Sequence, residues 1–170
     1  LVHDLEVQGK AWQVVGHELA KDLGSITPIW IDRIRFANQE MGESTVQSAG
    51  FVNSLRPIIG SPFFDRLSRS LQLKVLEGYW EGIKRSIPDA FKSPQEYVIQ
   101  KSLGVQAMHT IFADIIEIVR ANNDAWDDPA SFERVLAEPL ANLSEENREG
   151  AQVSGADFWL SGPKGAAGTF

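Results

Sequence analysis

A chain of 170 residues, 43% hydrophobic and 23% charged, is long enough for one domain with its own core and lies far from the composition of disordered chains. It holds no cysteine, which excludes disulfides, thiolate metal sites and a cysteine nucleophile. Its 23 acidic residues against 16 basic ones leave a net charge of −7, which argues against a surface-wide footprint for phosphate.

The chain begins with a helical pattern. From Asp4 to Leu23, the residues Leu5, Trp12, Val15, Leu19 and Leu23 recur at helical spacing. Gly9 and Gly16 weaken that helix, so it needs tertiary support, and Gly24 stands where a terminal glycine would end it. Thr27-Pro28 blocks continuation. The run Ile29–Phe36 is rich in β-branched and aromatic residues and predicts a short strand. Residues 37–43 read as a loop. A second helix is predicted from Ser44 or Thr45 to Ile59, with Pro57 disturbing its last turn.

A third helix is predicted from about Ser68 to Ser86, with Leu71, Val75, Leu76, Tyr79, Trp80 and Ile83 inward. Ser93-Pro94-Gln95-Glu96 has the pattern of a capping box and predicts a helix start. The most apolar helix follows Gly104 and carries Val105, Met108, Ile111, Phe112, Ile115, Ile116, Ile118 and Val119 as a wide apolar face to its end at Asn122-Asn123-Asp124. Asp128-Pro129 opens another, and Ser144 starts a short acidic helix through Glu149. The expected fold is therefore mainly α: an irregular bundle of five to six helices with at most one short extended segment. Residues 1–150 form one helical domain, followed by a Gly/Ala/Ser-rich tail at 151–170 in which Phe158-Trp159 is the one aromatic pair.

No catalytic constellation emerges. The histidines His3, His17 and His109 are scattered, and His17-Glu18 lacks the second histidine of a zinc-protease helix because Lys21 occupies its place. His109 reads as a polar neighbour of the core. Asp127-Asp128 reads as a helix cap, and Asp114 and Glu117 as a solvated face. The tail residues Ser161, Gly162, Lys164 and Gly165 are a candidate anion- or partner-binding loop, because glycines permit close backbone approach and Lys164 supplies charge. It does not match a phosphate-binding P-loop. Arg33, Arg35, Lys84 and Arg85 are the densest basic positions and the candidate contacts for nucleic acid. No metal or other cofactor is implied.

Several segments resemble the C-terminal helical half of the DGQHR-domain family, bacterial proteins linked to DNA modification that include phosphorothioation-associated repressors. The likeness is carried by residues 55–59 (Leu-Arg-Pro-Ile-Ile), by 79–84 (Tyr-Trp-Glu-Gly-Ile-Lys) with Phe91, by 103–108 (Leu-Gly-Val-Gln-Ala-Met), and by the tail from Phe158 to Phe170. The signature Asp-Gly-Gln-His-Arg is absent, so no functional residue transfers from it. The resemblance implies a missing N-terminal half of ParB-like fold that handles DNA, with this half serving regulation or assembly.

The expectation is thus a non-catalytic helical module, cut from a larger cytoplasmic protein, with its missing half as partner, DNA reached through that half, a homo-oligomer as a further option and no membrane. The chain's start at Leu1 and stop at Phe170 read as the edges of an excised piece. A stand-alone acidic binding protein, such as an immunity factor or antitoxin, is the alternative. An enzyme acting on a phosphorylated substrate through Lys164 is a third.

Overall fold

The computed structural model describes residues 2–168, with side chains from residue 11 onward. Helix α1 (Val2–Ile26) runs through Gly24 and stops at Thr27-Pro28, where Thr27 donates both its backbone N–H and its hydroxyl to the Leu23 carbonyl. Gly24 is therefore a packing glycine rather than a terminator: a Cβ there would stand 3.3 Å from the Phe36 ring. Gly16 has the same role, since a Cβ would meet Val52 at 2.9 Å. His3 and Leu5 lie outside the residues whose side chains are described.

The expected strand at 29–36 shrinks to β1 (Ile34–Arg35), which pairs in parallel with β2 (Val46–Gln47). Residues 28–33 instead form tight turns in which Asp32 adopts φ 62°, a conformation that Asp tolerates better than most side chains. Ile29 and Trp30 are buried by those turns. Gln100 holds them in place, donating to the Ile29 carbonyl at 2.8 Å from a fully buried side chain.

The expected helix ending at Ile59 is broken into α2 (Ser48–Ser54) and α3 (Arg56–Ile59), followed by α4 (Pro62–Asp65). Pro57 has no N–H to continue the ladder and sits in the first turn of α3. Helix α5 (Arg69–Ser86) matches the expected bounds, and Ser68 caps it by accepting from the Leu71 N–H. The short α6 (Asp89–Lys92) follows.

Ser93-Pro94-Gln95-Glu96 does not start a helix. It forms a turn, because Tyr97 and Val98 are claimed by the C-terminal segment: Tyr97 bridges Leu160, and the Val98 N–H donates to the Trp159 carbonyl at 2.7 Å. The next helix, α7 (Ser102–Ala121), ends at Asn122 as expected. It is long and apolar enough to cross a membrane by length and composition, and Val105, Phe112 and Val119 are buried against the rest of the fold. Asp128 caps α8 (Pro129–Asn142) through the Ala130 N–H.

The acidic stretch after Ser144 is a hairpin rather than a helix: β3 (Ser144–Glu146) pairs antiparallel with β4 (Gln152–Ser154). All three residues of β3 are exposed, so no apolar face was available to dock a helix. Asn147 organises the turn by accepting from the Glu149 and Ala151 N–H groups, and Gly150 takes φ 79°. The strand content is thus two short pairs instead of one extended segment.

The protein is a mainly α-helical irregular bundle, with five helices of seven residues or more among the described residues. Its centre is aromatic. Trp30 packs edge-to-face on Phe51 at 4.8 Å and on Trp80 at 4.7 Å, and Tyr79 does the same on Phe112 and Phe132. Such pairs add roughly 0.5–1.5 kcal/mol each beyond burial. Helix α8 closes on α5 at two glycines one turn apart: a Cβ on Gly82 would meet the Phe132 Cβ at 2.5 Å, and one on Gly78 the Asp127 carbonyl oxygen at 3.2 Å.

Candidate functional site

The approach of α8 to bare backbone on α5 leaves an apolar cleft of about 300 Å³ beside it. Three segments far apart in sequence build it: the 27–30 turn, the outer face of α5 from Lys74 to Glu81, and the α8 entry at Asp127 and Pro129. Pro28, Ile29, Gly78 and Pro129 contribute apolar lining, and the rings of Trp30 and Trp80 stand behind them. Three carboxylates, Glu77, Glu81 and Asp127, rim it against the one cation Lys74. Lys74 pairs with Asp127 at 3.1 Å, yet its side chain is 61% exposed. Glu81 faces Arg85 at 3.5 Å. Glu77 has no ion-pair partner among the described residues.

The Trp30 indole N–H is buried with no hydrogen-bond acceptor among the described residues. Trp80 differs: its Nε1–H donates to His109 Nε2 at 3.0 Å. That bond fixes the tautomer, so His109 Nδ1–H donates to Ser54 Oγ at 2.8 Å, and Ser54 donates in turn to the Phe51 carbonyl. Burial holds the His109 pKa down to about 3. The neutral imidazole is a structural link with both nitrogens occupied. Burial likewise raises the Tyr79 hydroxyl, which donates to the Met108 carbonyl.

The tail residues are folded onto the body. Phe158, Trp159, Ala166 and Ala167 are buried, and Gly162–Lys164 form a 3-10 turn. Ser161 accepts from the Lys101 ammonium at 2.9 Å, and its N–H donates to the Glu96 carbonyl. Gly162 has φ 71°, Gly165 leaves only 1.8 Å between a Cβ and the Leu160 carbonyl oxygen, and Lys164 is exposed while its carbonyl accepts from Asn147. The tail of the resemblance at Thr169 and Phe170 lies outside the described residues.

The basic positions fall on separate elements. Arg33 and Arg35 flank Ile34 at β1, while Lys84 and Arg85 occupy the last turn of α5. Arg33 donates to the Glu43 carbonyl and lies 3.8 Å from its carboxylate. Arg85 faces both Glu81 and Glu133. His17, Asp114 and Glu117 are exposed. Among the described residues, no group of three or more His, Asp or Glu side chains is placed to hold a metal ion.

Of the residues weighed for chemistry from sequence, Asp127 alone lines the cleft, while its neighbour Asp128 is the cap. Thr27-Pro28, Trp80 and Pro129 enter the sequence reading only as structural signals, and Lys74 and Glu77 carry no signal of a site. One signal was present: Gly78 and Gly82, four apart in a strongly amphipathic helix, mark a face where another backbone must come close.

This geometry defines a mainly α-helical domain with an apolar, acid-rimmed cleft. No family model, curated protein or solved structure matches the chain.

Proposed function

We propose that this chain is a non-catalytic, cytoplasmic helical module that binds a partner, in the regulation or assembly of a DNA-modification-associated protein of the DGQHR-like kind. The observation that carries the binding role is the cleft, an apolar recess with walls fixed by the aromatic core and a rim of net negative charge. The setting is supported by the resemblance alone, whose segments lie in α3, α5 and α7. DNA contact belongs, in this reading, to the missing N-terminal half.

The acid rim and the net charge of −7 favour a second reading, a stand-alone binding protein that meets a basic partner in the manner of an immunity factor or antitoxin. Both readings agree that phosphate is not the target. Fluorescence anisotropy of a labelled duplex DNA against this chain, across a salt series, is expected to show no binding. Salt-sensitive binding that weakens on replacing Arg33, Arg35, Lys84 or Arg85 by Ala would overturn the proposal.

A further inference from the structure

Resting on that binding role, we infer that the cleft receives an arginine side chain from a basic peptide segment of a protein partner. Three features select this occupant. The lining is apolar and shallow enough to take the aliphatic stem of a long side chain, which buries its methylenes while keeping its charge at the rim. The rim presents three carboxylates, of which Glu77 has no ion-pair partner among the described residues, and a planar guanidinium can engage carboxylates two bonds at a time, which an ammonium cannot. Lys74, already paired with Asp127 but mostly exposed, marks where a cation is stable and can be displaced by a better one.

An anionic or nucleotide ligand is disfavoured by the same rim, since Lys74 is the one cation in the lining. The bowl beside the 36–44 loop mixes Lys21 and Arg35 with Asp32, Glu40 and Glu43, so its charge selects nothing. Of the exposed apolar side chains, Val14 and Ile26 lie on α1, Met41 in the loop before β2 and Ile118 on α7.

The test is anisotropy of a fluorescein-labelled peptide, one central arginine flanked by alanines and lysines, titrated with the whole chain. Glu77→Gln combined with Glu81→Gln is expected to weaken binding by about tenfold or more, because the lost contacts are charge-assisted hydrogen bonds. The same charge removal at Glu145→Gln and Glu146→Gln, exposed on β3, is expected to change it by less than about twofold. Exchanging the peptide's arginine for lysine is expected to weaken binding to the native chain as well. Equal losses from the two pairs would show a peptide reading net charge, and would overturn the cleft assignment while leaving the binding role standing. Absence of peptide binding would overturn the occupant. Binding of DNA instead would remove the role on which the inference rests.

Discussion

Gly104→Ala is expected to destabilise the fold by about 3 kcal/mol, the upper part of the range for overpacking a close contact. The sign is informative, because in an isolated helix the same change stabilises by roughly 1 kcal/mol. Here a Cβ would stand 2.3 Å from the Val98 carbonyl oxygen and 2.5 Å from the Ile99 Cα, both backbone atoms. The 98–100 segment cannot retreat without breaking the Val98 bond to Trp159 or the Gln100 bond to Ile29. Gly50→Ala is the control: it is also helical, and its nearest neighbour is a serine hydroxyl at 3.9 Å. Urea unfolding should show a lowered midpoint for Gly104→Ala and an unchanged or raised one for Gly50→Ala.

The second large effect belongs to His109. Its folded pKa of about 3 lies below the ordinary 6.5, so in acid the unfolded chain binds a proton that the folded chain refuses. Stability therefore falls as pH drops below 6.5, by about 1.4 kcal/mol per pH unit, and the loss levels off near pH 3 at about 5 kcal/mol. His109→Gln is expected to remove this component of the pH slope. His109→Leu is expected to cost about 3 kcal/mol at neutral pH, because it leaves the buried Trp80 N–H without an acceptor and repacks imperfectly. Chemical unfolding of the three proteins between pH 7 and pH 4 checks both points. Parallel stability profiles for the native chain and His109→Gln would show that another group governs acid unfolding.

Much of the helical frame was legible because its signals are local. Ser68 and Asp128-Pro129 act as caps in the structure as their residue types suggest, and Val105, Met108, Phe112, Ile116 and Val119 are the buried face of α7, while Ile118 from the expected apolar face is exposed. Failures arose where distant segments decided the outcome. Ser93-Pro94 has the composition of a helix start, but Tyr97 and Val98 bond to residues some 60 positions away, in Trp159 and Leu160. The acids after Ser144 favour a first turn on dipole grounds, yet they lack an apolar stripe and pair as a hairpin instead.

The cleft was illegible for a related reason. Its lining comes from residues 27–30, 74–81 and 127–129, and none of these stretches carries a motif. Only their convergence, set by Gly78 and Gly82, makes Glu77 and Asp127 neighbours of one recess. His109 shows the complementary case. Its position apart from the other histidines gives no hint of its role, because the Trp80–His109–Ser54 chain of hydrogen bonds depends on α2, α5 and α7 meeting in the core.

The most direct test of partner binding through this cleft is amide chemical-shift mapping of the isotopically labelled chain during titration with the arginine-bearing peptide. The predicted map is compact: shifts at Thr27, Ile29, Glu77, Gly78 and Asp127. Shifts centred instead on Arg33 and Arg35, on the 161–165 turn, or spread evenly over the acidic surface would contradict it.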